Sequence, residues 1–448
     1  FEAKKAHDQL LFLFEQDYPE YYNLKYRELS IKPEDICQKL EPGQCLIEYY
    51  ITEADTRSGE KDLLHILVFS NKNRMYRSVE LPDSFNQAVN DYVSIVGDRN
   101  VGETNRVKFQ RYIRAACELH DLLIGSLPIP ASAKEIIVIP DGPINNIPFD
   151  ALLAQKPLAN RIHFYDLAYL VHDYAFSYSY SSTLHFEYFG SKENREKGIA
   201  AFAPDYHHEE VDENKAAFSY PNTRNRSVMK PLPGAKEEVL KISEIQKTDL
   251  FLNGNATETQ FKQVAGKYDV LHLAMHAILN DSLPMYSKLV FSAQPDSSND
   301  GYLNVEELYS MKLNARLAVL SACNTGTGKR RGGEGVMSMA RAFMRAGCPS
   351  IMMTLWEVED RSSADLMVHF YKNLRKGKSK TLSLSLAKRT YLKSADPFSA
   401  HPYFWSGYIV LGNTEAMYPN YSWIIALILL IAGAVFWGLR RKGKTKII

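Results

Sequence analysis

The sequence predicts an α/β protein built on a mainly parallel sheet, because strand-like and helical patterns alternate along the chain. From about residue 198 to residue 412, short apolar runs alternate with segments of helical periodicity. Buried strands that alternate with helices typically form a parallel sheet with helices on both faces. The length of 448 residues further predicts two or three domains.

The composition argues against several classes of protein. The 53 Lys and Arg residues nearly cancel the 52 Asp and Glu residues, which disfavours a general nucleic-acid binder. The five cysteines are odd in number and widely spaced. Neither a dense disulfide framework nor a zinc-binding cluster is therefore expected.

The N-terminal part is expected to contain a helical segment and then a small α/β unit. Residues 1–34 carry leucine and aromatic residues at helical spacing, interrupted by Pro19, and are typical of the end of a helical repeat array, although one segment cannot establish a repeat. Residues 35–190 combine three strand patterns between Cys45 and Leu81, two helical segments and the apolar run 135–139. The strand ends of this unit offer no Cys/His pair, so we assign it no chemistry.

A second α/β unit is expected over residues 191–415. Its predicted strands are Ile199–Ala203, Asp249–Leu252, Val270–Ala274, Ala315–Leu320, Ile351–Leu355 and Tyr408–Leu411. Its predicted helices are Ala235–Gln246, Thr257–Val264, Glu334–Ala346, Ser363–Leu374 and Leu382–Leu392. A hairpin with an Asn-Asp-Gly turn is expected over Lys288–Leu303. The loop 204–232 carries His207-His208 beside two glutamates, a pattern that fits a solvated charged loop better than a metal site.

The C-terminus predicts a single-pass membrane anchor over residues 421–439. The uncharged run Trp423–Leu439 reaches the lower limit for spanning a bilayer and has a tryptophan near each end. The positive-inside rule places the basic tail, 440–448, in the cytoplasm and leaves the side of the unit at 191–415 open. The alternative, a buried core helix, would need neither interfacial tryptophans nor a basic tail.

Two chemically able side chains lie at predicted strand ends. The run Val270–Ala274 leads to His276, and the run Ala315–Leu320 leads to Cys323. Reactive groups in an open parallel sheet gather at the carboxyl ends of its strands. An imidazole can take the proton of a thiol and later protonate the leaving amine. The spacing alone leaves open a catalytic pair and two unrelated packed side chains.

The second unit resembles the CHAT domain, a caspase-like cysteine peptidase family whose members often follow tetratricopeptide repeats. The blocks that carry the resemblance keep their order along the chain. They are PDGPINNIPFDALL (140–153), LPGAKEEVLKI (232–242), VLHLAMHA (270–277), LSACNTGTG (320–328), GGEGVMSMARAFMRAGCPSIMMTLWEVED (332–360) and HPYFWSGYIVLG (401–412).

The resemblance implies a caspase-like three-layer αβα sandwich for the second unit and a caspase-like pseudo-domain for residues 35–190. It also implies His276 as the general base and Cys323 as the nucleophile. Backbone N–H groups of Ala277 and Cys323 would hold the oxyanion. The family usually has Thr-His-Gly around its histidine, whereas this chain has methionine and alanine there, and alanine has less backbone freedom than glycine. His272, which shares a strand face with His276, is expected to be a core histidine.

The block Trp356–Asp360 predicts a substrate preference. It is similar to the Trp-Asp-Val-Thr-Asp block of separases, which cleave after arginine, so the resemblance implies a basic residue before the scissile bond (P1). Asp360 is the first candidate for the carboxylate that binds this residue, and Glu357 is the second. The alternative is that these acids cap a helix that starts at Ser362.

The glycine-rich loop 326–335 lacks the spacing of a phosphate-binding loop, because Lys329 is followed by arginine. We interpret it as a mobile border of the substrate cleft and hypothesise that it is cut at Lys329–Arg331 during activation.

The sequence thus predicts a membrane-anchored cysteine endopeptidase that acts on protein substrates and meets a regulatory partner through upstream helical repeats. No cofactor, metal or nucleic acid is implied. The alternative is a catalytically idle caspase-like adaptor or signalling scaffold at the membrane. The presence of both His276 and Cys323 argues against the adaptor.

Overall fold

The structure is a computed structural model. It describes residues 30–54, 61–103, 105–157, 163–187, 196–206, 231–280, 283–292, 299–324 and 334–419. These residues are organised around one large mixed sheet.

The helices and strands of the first half are α1 (Pro33–Lys39), β1 (Gln44–Thr52), β2 (Leu63–Ser70), β3 (Arg74–Glu80), α2 (Phe85–Val96), α3 (Arg106–His120), β4 (Glu135–Ile139), β5 (Ala175–Tyr178) and α4 (Ser182–Glu187). Local sequence signals set several of their ends. Pro33 occupies the first turn of α1, where its missing N–H costs no helical hydrogen bond. Asn105 caps α3 by accepting a hydrogen bond of 3.0 Å from the N–H of Lys108.

The elements of the second half are β6 (Glu196–Ala203), α5 (Pro233–Ser243), β7 (Thr248–Leu252), α6 (Glu258–Val264), β8 (Tyr268–Ile278), β9 (Lys288–Val290), β10 (Tyr302–Asn304), α7 (Val305–Ser310), β11 (Leu317–Asn324), α8 (Glu334–Arg345), β12 (Ser350–Thr354), α9 (Asp360–Arg375), α10 (Lys380–Ser394) and β13 (Tyr408–Gly412). The predicted hairpin is confirmed, because β9 and β10 pair antiparallel. Gly301 in its turn has a φ of +79°, which glycine adopts without strain.

The strands follow the order β10-β9-β8-β11-β12-β13-β5-β4-β1-β2-β3, with β6 also beside β8 and β7 beside β6. Two parallel blocks form the interior of the sheet, β8-β11-β12 and β13-β5-β4-β1. The antiparallel strands β2, β3, β9 and β10 lie toward the edges, and β12 meets β13 antiparallel. The prediction of an α/β fold with a mainly parallel sheet is therefore confirmed.

The sheet runs without a break across the predicted boundary at residues 190 and 191. Its connection is β5, which pairs with β13 through Tyr178 and Leu411. The sequence did not predict β5, because a strand of four residues is too short for a periodicity signal. The two predicted units therefore share one sheet.

Several predictions concern residues outside the described ranges. They are the helical segment before Ser30, His207-His208, residues 326–333 of the glycine-rich loop, the anchor 421–439 and the tail 440–448. Within the described ranges, the helices are all too short or too polar to span a bilayer.

A buried ion pair ties the first half of the chain to the second. Lys388 on α10 places Nζ 2.8 Å from Oδ2 of Asp150 and donates to the carbonyl of Tyr408 at 2.7 Å. The two charged side chains are only 1% and 3% exposed. Burial lowers the pKa of the Lys388 ammonium, and the Asp150 carboxylate opposes that shift. Each charge therefore depends on the other for its place in the interior.

We predict that Lys388→Met will lower the free energy of unfolding by about 3–5 kcal/mol, because it leaves the Asp150 carboxylate buried without a cation. The double variant Asp150→Asn/Lys388→Met should lose less than the two single variants combined. Urea unfolding followed by tryptophan fluorescence measures all three losses. Lys108→Met is the matched control, because its pair with Asp98 is partly exposed and should contribute about 1 kcal/mol or less. Additive losses, or a Lys388 loss as small as the control, would contradict the prediction.

Candidate active site

The register between β8 and β11 brings together the two residues singled out in the sequence. Cys323 pairs directly with His276, and Asn324 pairs with Ala277. Neighbouring strands lie about 4.8 Å apart, and parallel strands end at the same edge of the sheet. Both strands are longer than predicted and include these two residues. Two residues of β8 follow His276, and one residue of β11 follows Cys323. They are held in the sheet rather than in loops that follow it.

The position of His276 is set by Tyr206. The imidazole is 3% exposed, and its ring centroid lies 4.6 Å from that of Tyr206. The hydroxyl of Tyr206 accepts a hydrogen bond from the backbone N–H of His276 at 3.0 Å and donates to the carbonyl of Val290 at 2.7 Å. Val290 is the β9 residue paired with His276. Tyr206 is therefore hydrogen-bonded to both β8 and β9 at the position of the histidine.

The two predicted oxyanion donors differ in their surroundings. Ala277 pairs with Asn324 on β11 and with Leu289 on β9, so strands flank it on both sides. Within a sheet the backbone N–H groups point toward neighbouring strands. On β11, the pairing with β12 covers Ala318–Leu320 among the described residues, and Cys323 lies beyond those positions. Among these residues, Cys323 therefore has one paired neighbouring strand and Ala277 has two.

A small pocket lies beside the end of β11. It is bordered by residues from the start of α5, the end of β11, the segment after β12 and the first turn of α9. Its lining residues are Leu232, Gly234, Ala235, Glu238, Ser321, Val358 and Ser363. Positions two apart in a strand share a face of the sheet. The pocket therefore opens on the face that carries position 323.

Glu238 is the charged group of this pocket and is 3% exposed. Its Oε2 accepts hydrogen bonds from Ser363 Oγ at 2.8 Å and Ser321 Oγ at 3.1 Å. Both serines are hydrogen-bonded to the hydroxyl of Tyr408, at 2.5 and 2.8 Å. Oε1 lies 2.9 Å from Nε2 of His272 but without the alignment of a hydrogen bond. Oε1 is thus buried against this imidazole and, among the described residues, makes no hydrogen bond.

His272 is fully buried, in line with the expectation of a core histidine. Its Nδ1 is hydrogen-bonded to the hydroxyl of Tyr371 at 3.0 Å. Its contact with Glu238 was not expected from the sequence. The structure thus gives His272 a place beside the pocket rather than beside Cys323.

Of the three acids after β12, Glu357 and Glu359 have side chains that the structure describes, whereas Asp360 is described only in its backbone. Glu357 forms an exposed ion pair of 3.1 Å with Arg99 and does not line the pocket. Glu359 caps α9 by accepting a hydrogen bond of 2.9 Å from the N–H of Ser362. The helix begins at Asp360, two residues before the predicted start. The helix-capping alternative is therefore correct for Glu359, which the sequence analysis did not favour as a substrate ligand.

The segment that carries these acids is held by Trp356. The indole N–H donates to the carbonyl of Tyr403 at 3.0 Å, and the side chain is 3% exposed. A Cβ atom on Gly407 would lie only 2.9 Å from the indole ring. Glycine at position 407 is therefore required for this packing, which fixes the backbone from Trp356 to Val358.

Glu238 was not predicted as a site residue, although it lies in the block LPGAKEEVLKI that carries the family resemblance. The signal lies in α5, where the buried residues Ala235, Glu238, Val239 and Ile242 follow helical spacing. A carboxylate in an otherwise apolar helical stripe marks a buried charge that needs polar partners.

Among the described residues no cluster of three or more His, Cys, Asp or Glu side chains is arranged to hold a metal ion.

Comparison with known proteins identifies relatives of this chain. Tetratricopeptide repeat protein 28 of Mus musculus is 25% identical over 214 residues, covering 41% of this chain and 9% of that protein. The Homo sapiens protein of the same name is 24% identical, with 41% and 8% covered. The alignments thus span less than a tenth of the length of these curated relatives.

Two solved structures are similar at low sequence identity. Separase in the Saccharomyces cerevisiae separase–securin complex has a TM-score of 0.48 and 10% identity, covering 87% of this chain and 32% of that chain. The Arg-specific cysteine proteinase gingipain R has a TM-score of 0.35 and 8% identity, covering 75% and 76%.

The model of one protein family, described as the CHAT domain, matches residues 114–413, which include β8, β11 and the pocket around Glu238. The match covers more than half of the 448 residues. The chain therefore belongs to the CHAT domain family.

Proposed function

We propose that this protein is a caspase-like cysteine endopeptidase that cleaves protein substrates through Cys323 and His276. The observation that carries the proposal is the direct pairing of Cys323 with His276 on adjacent parallel strands. Membership of the CHAT domain family supports the same chemistry.

In the proposed reaction His276 takes the proton of the Cys323 thiol, and the thiolate attacks the scissile carbonyl carbon. The resulting imidazolium donates that proton to the leaving amine as the C–N bond breaks. Water, deprotonated by His276, then attacks the thioester and releases the acid product and the free thiol. We assign the main oxyanion contact to the N–H of Cys323 and a second contact to that of Ala277, because strands flank Ala277 on both sides.

We further propose that the pocket around Glu238 receives a basic P1 side chain. Glu238 lies in α5 with one oxygen free of hydrogen bonds among the described residues, and Ser321 places the pocket two residues from Cys323. A buried carboxylate with a free acceptor favours a cation that brings its own N–H donors. Glu357 and Asp360 stay as competing candidates for this role.

The proposals on a regulatory partner and on the location of the protein rest on sequence features and on the relatives. Helical repeats before Phe1 would receive a regulatory partner, and the relatives named tetratricopeptide repeat protein 28 support such an arrangement. Residues 421–439 would anchor the protein in a membrane, with the tail 440–448 in the cytoplasm.

We predict that an acyloxymethyl ketone peptide probe with arginine at P1 will label Cys323, and that His276→Ala will slow labelling at least about 100-fold, because the imidazole no longer generates the thiolate. Mass spectrometry of the digested protein identifies the labelled thiol. Burial raises the pKa of the Cys37 and Cys117 thiols, and that of Cys45 to about 12, so they serve as internal controls that should not react near pH 7. Labelling at an equal rate in His276→Ala, or none in the intact chain with its partners present, would favour the idle adaptor.

We predict that Glu238→Gln will lower kcat/KM for a peptide with P1 arginine by roughly 100-fold, because the cation loses a buried carboxylate partner. The same peptide with P1 leucine should be cleaved at nearly the original rate. Glu357→Gln and Asp360→Asn are the matched variants. Glu357→Gln should change the ratio of the two rates less than threefold, because its exposed ion pair with Arg99 contributes roughly 1 kcal/mol or less. Asp360→Asn should change the ratio as little if Glu238 binds the P1 cation. A large effect at Asp360 alone would move the P1 contact to that residue, and no effect at any of the three would reject the basic preference.

A further inference from the structure

A short turn between β8 and β9 presents three large apolar side chains to solvent. Leu283 is 57% exposed, Met285 is 44% exposed and Tyr286 is 64% exposed. We call Leu283–Tyr286 the apolar turn. Single exposed apolar residues are common on protein surfaces, but three in one four-residue turn form a patch that is typical of a binding surface.

Hydrogen bonds hold the apolar turn in a defined shape. The side chain of Asn280 accepts from the N–H of Leu283 at 2.8 Å, and the carbonyl of Leu283 accepts from the N–H of Tyr286 at 2.9 Å. The hydroxyl of Ser287, which is fully buried, accepts from the N–H of Asn280 at 3.0 Å. The base of the turn is thus tied together while its apolar side chains point outward. Such a turn can bind a ligand at little additional cost in backbone entropy.

The apolar turn lies at the same edge of the sheet as the candidate active site. It follows the carboxyl end of β8, which carries His276, and leads into β9. In the strand order β9-β8-β11-β12 it is therefore on the histidine side of Cys323. The pocket around Glu238 includes Val358, from the segment that follows β12 on the opposite side of β11.

The proposed chemistry gives the bound peptide a direction across this edge. The imidazolium of His276 must reach the nitrogen that leaves the carbonyl carbon attacked by Cys323. The residues that follow the scissile bond therefore extend from Cys323 past His276, toward the turn between β8 and β9. The residue before the scissile bond is directed to the pocket on the other side.

We propose that the apolar turn is a substrate subsite that binds apolar side chains on the C-terminal side of the scissile bond. This proposal rests on the proposed function and adds a substrate class to it. Its occupant is a segment of the protein substrate, because the turn follows β8, the strand that carries His276, at the edge of the sheet where the leaving half of that substrate must lie.

The test compares substrates with and without residues after the scissile bond. Three probes share one sequence up to P1, chosen from the cleavage profile of the wild-type protein on a proteome-derived peptide library. The first is an aminomethylcoumarin amide, the second continues with leucine and phenylalanine, and the third continues with serine only. The double variant Leu283→Ser/Tyr286→Ser is compared with wild type and with Val107→Ser, an equally exposed apolar position on α3.

We expect the double variant to lower kcat/KM about tenfold on the peptide with leucine and phenylalanine. A loss of this size is usual when an apolar contact with the substrate is removed. It should change kcat/KM less than twofold on the serine peptide and on the coumarin amide, because neither places an apolar residue on the turn. The control variant should match wild type on all three probes.

Other outcomes would overturn the proposal and are distinguishable from failure of the proposed function. Equal losses on all three probes would mean that the turn supports the catalytic residues rather than binding substrate. Equal cleavage of the two peptides by wild type would reject the subsite while leaving the peptidase intact. Sedimentation velocity that finds a wild-type dimer and a variant monomer would assign the turn to contact between two copies. A wild-type protein that neither cleaves the library nor labels at Cys323 would reject both proposals.

Discussion

The parallel register between β8 and β11 is the constraint on which the candidate site depends. A shift of one residue would move every side chain of a strand to the other face of the sheet, and position 323 would no longer face the partner His276. β8 resists such a shift because β11 pairs along one of its edges while β6 and β9 pair along the other. Tyr206 adds a further restraint at His276 itself.

The polar cluster around Glu238 is the second feature that demands an explanation. A buried carboxylate loses favourable hydration, and its hydrogen bonds compensate only in part. Glu238 nevertheless joins α5 to α9, β11 and β13 through Ser363, Ser321 and Tyr408. An apolar residue would stabilise such a helix face more simply. The stability of the fold therefore does not by itself explain a buried carboxylate at this position.

The two halves of the chain are physically joined. The strand β5 lies between β4 of the first half and β13 of the second. The ion pair between Asp150 and Lys388 crosses the same boundary with both charges buried. The first half is thus part of the support for the sheet that carries His276 and Cys323, and its removal would expose β13 and leave the Lys388 ammonium without its carboxylate.

Much of the fold was predictable, because long buried strands and amphipathic helices carry their period in the sequence. The strands that carry His276 and Cys323, the helices α5, α6, α8, α9 and α10 and the hairpin from Lys288 were expected, whereas the short helix α7 was not. The strand β5 was not, because four residues are too few to have a period. Because β5 gave no signal, its place between β4 and β13 was not predicted either.

The sequence by itself indicated the two candidate catalytic residues, because a thiol and an imidazole can be recognised at the ends of apolar runs. It could not show that Glu238 lies in the pocket beside β11. Asp360 and Glu357 follow a strand directly and were chosen on that ground, whereas Glu238 is 85 positions before Cys323 in the chain. Only tertiary packing brings α5 against β11, because the apolar stripe of α5 must be buried and Glu238 lies within that stripe.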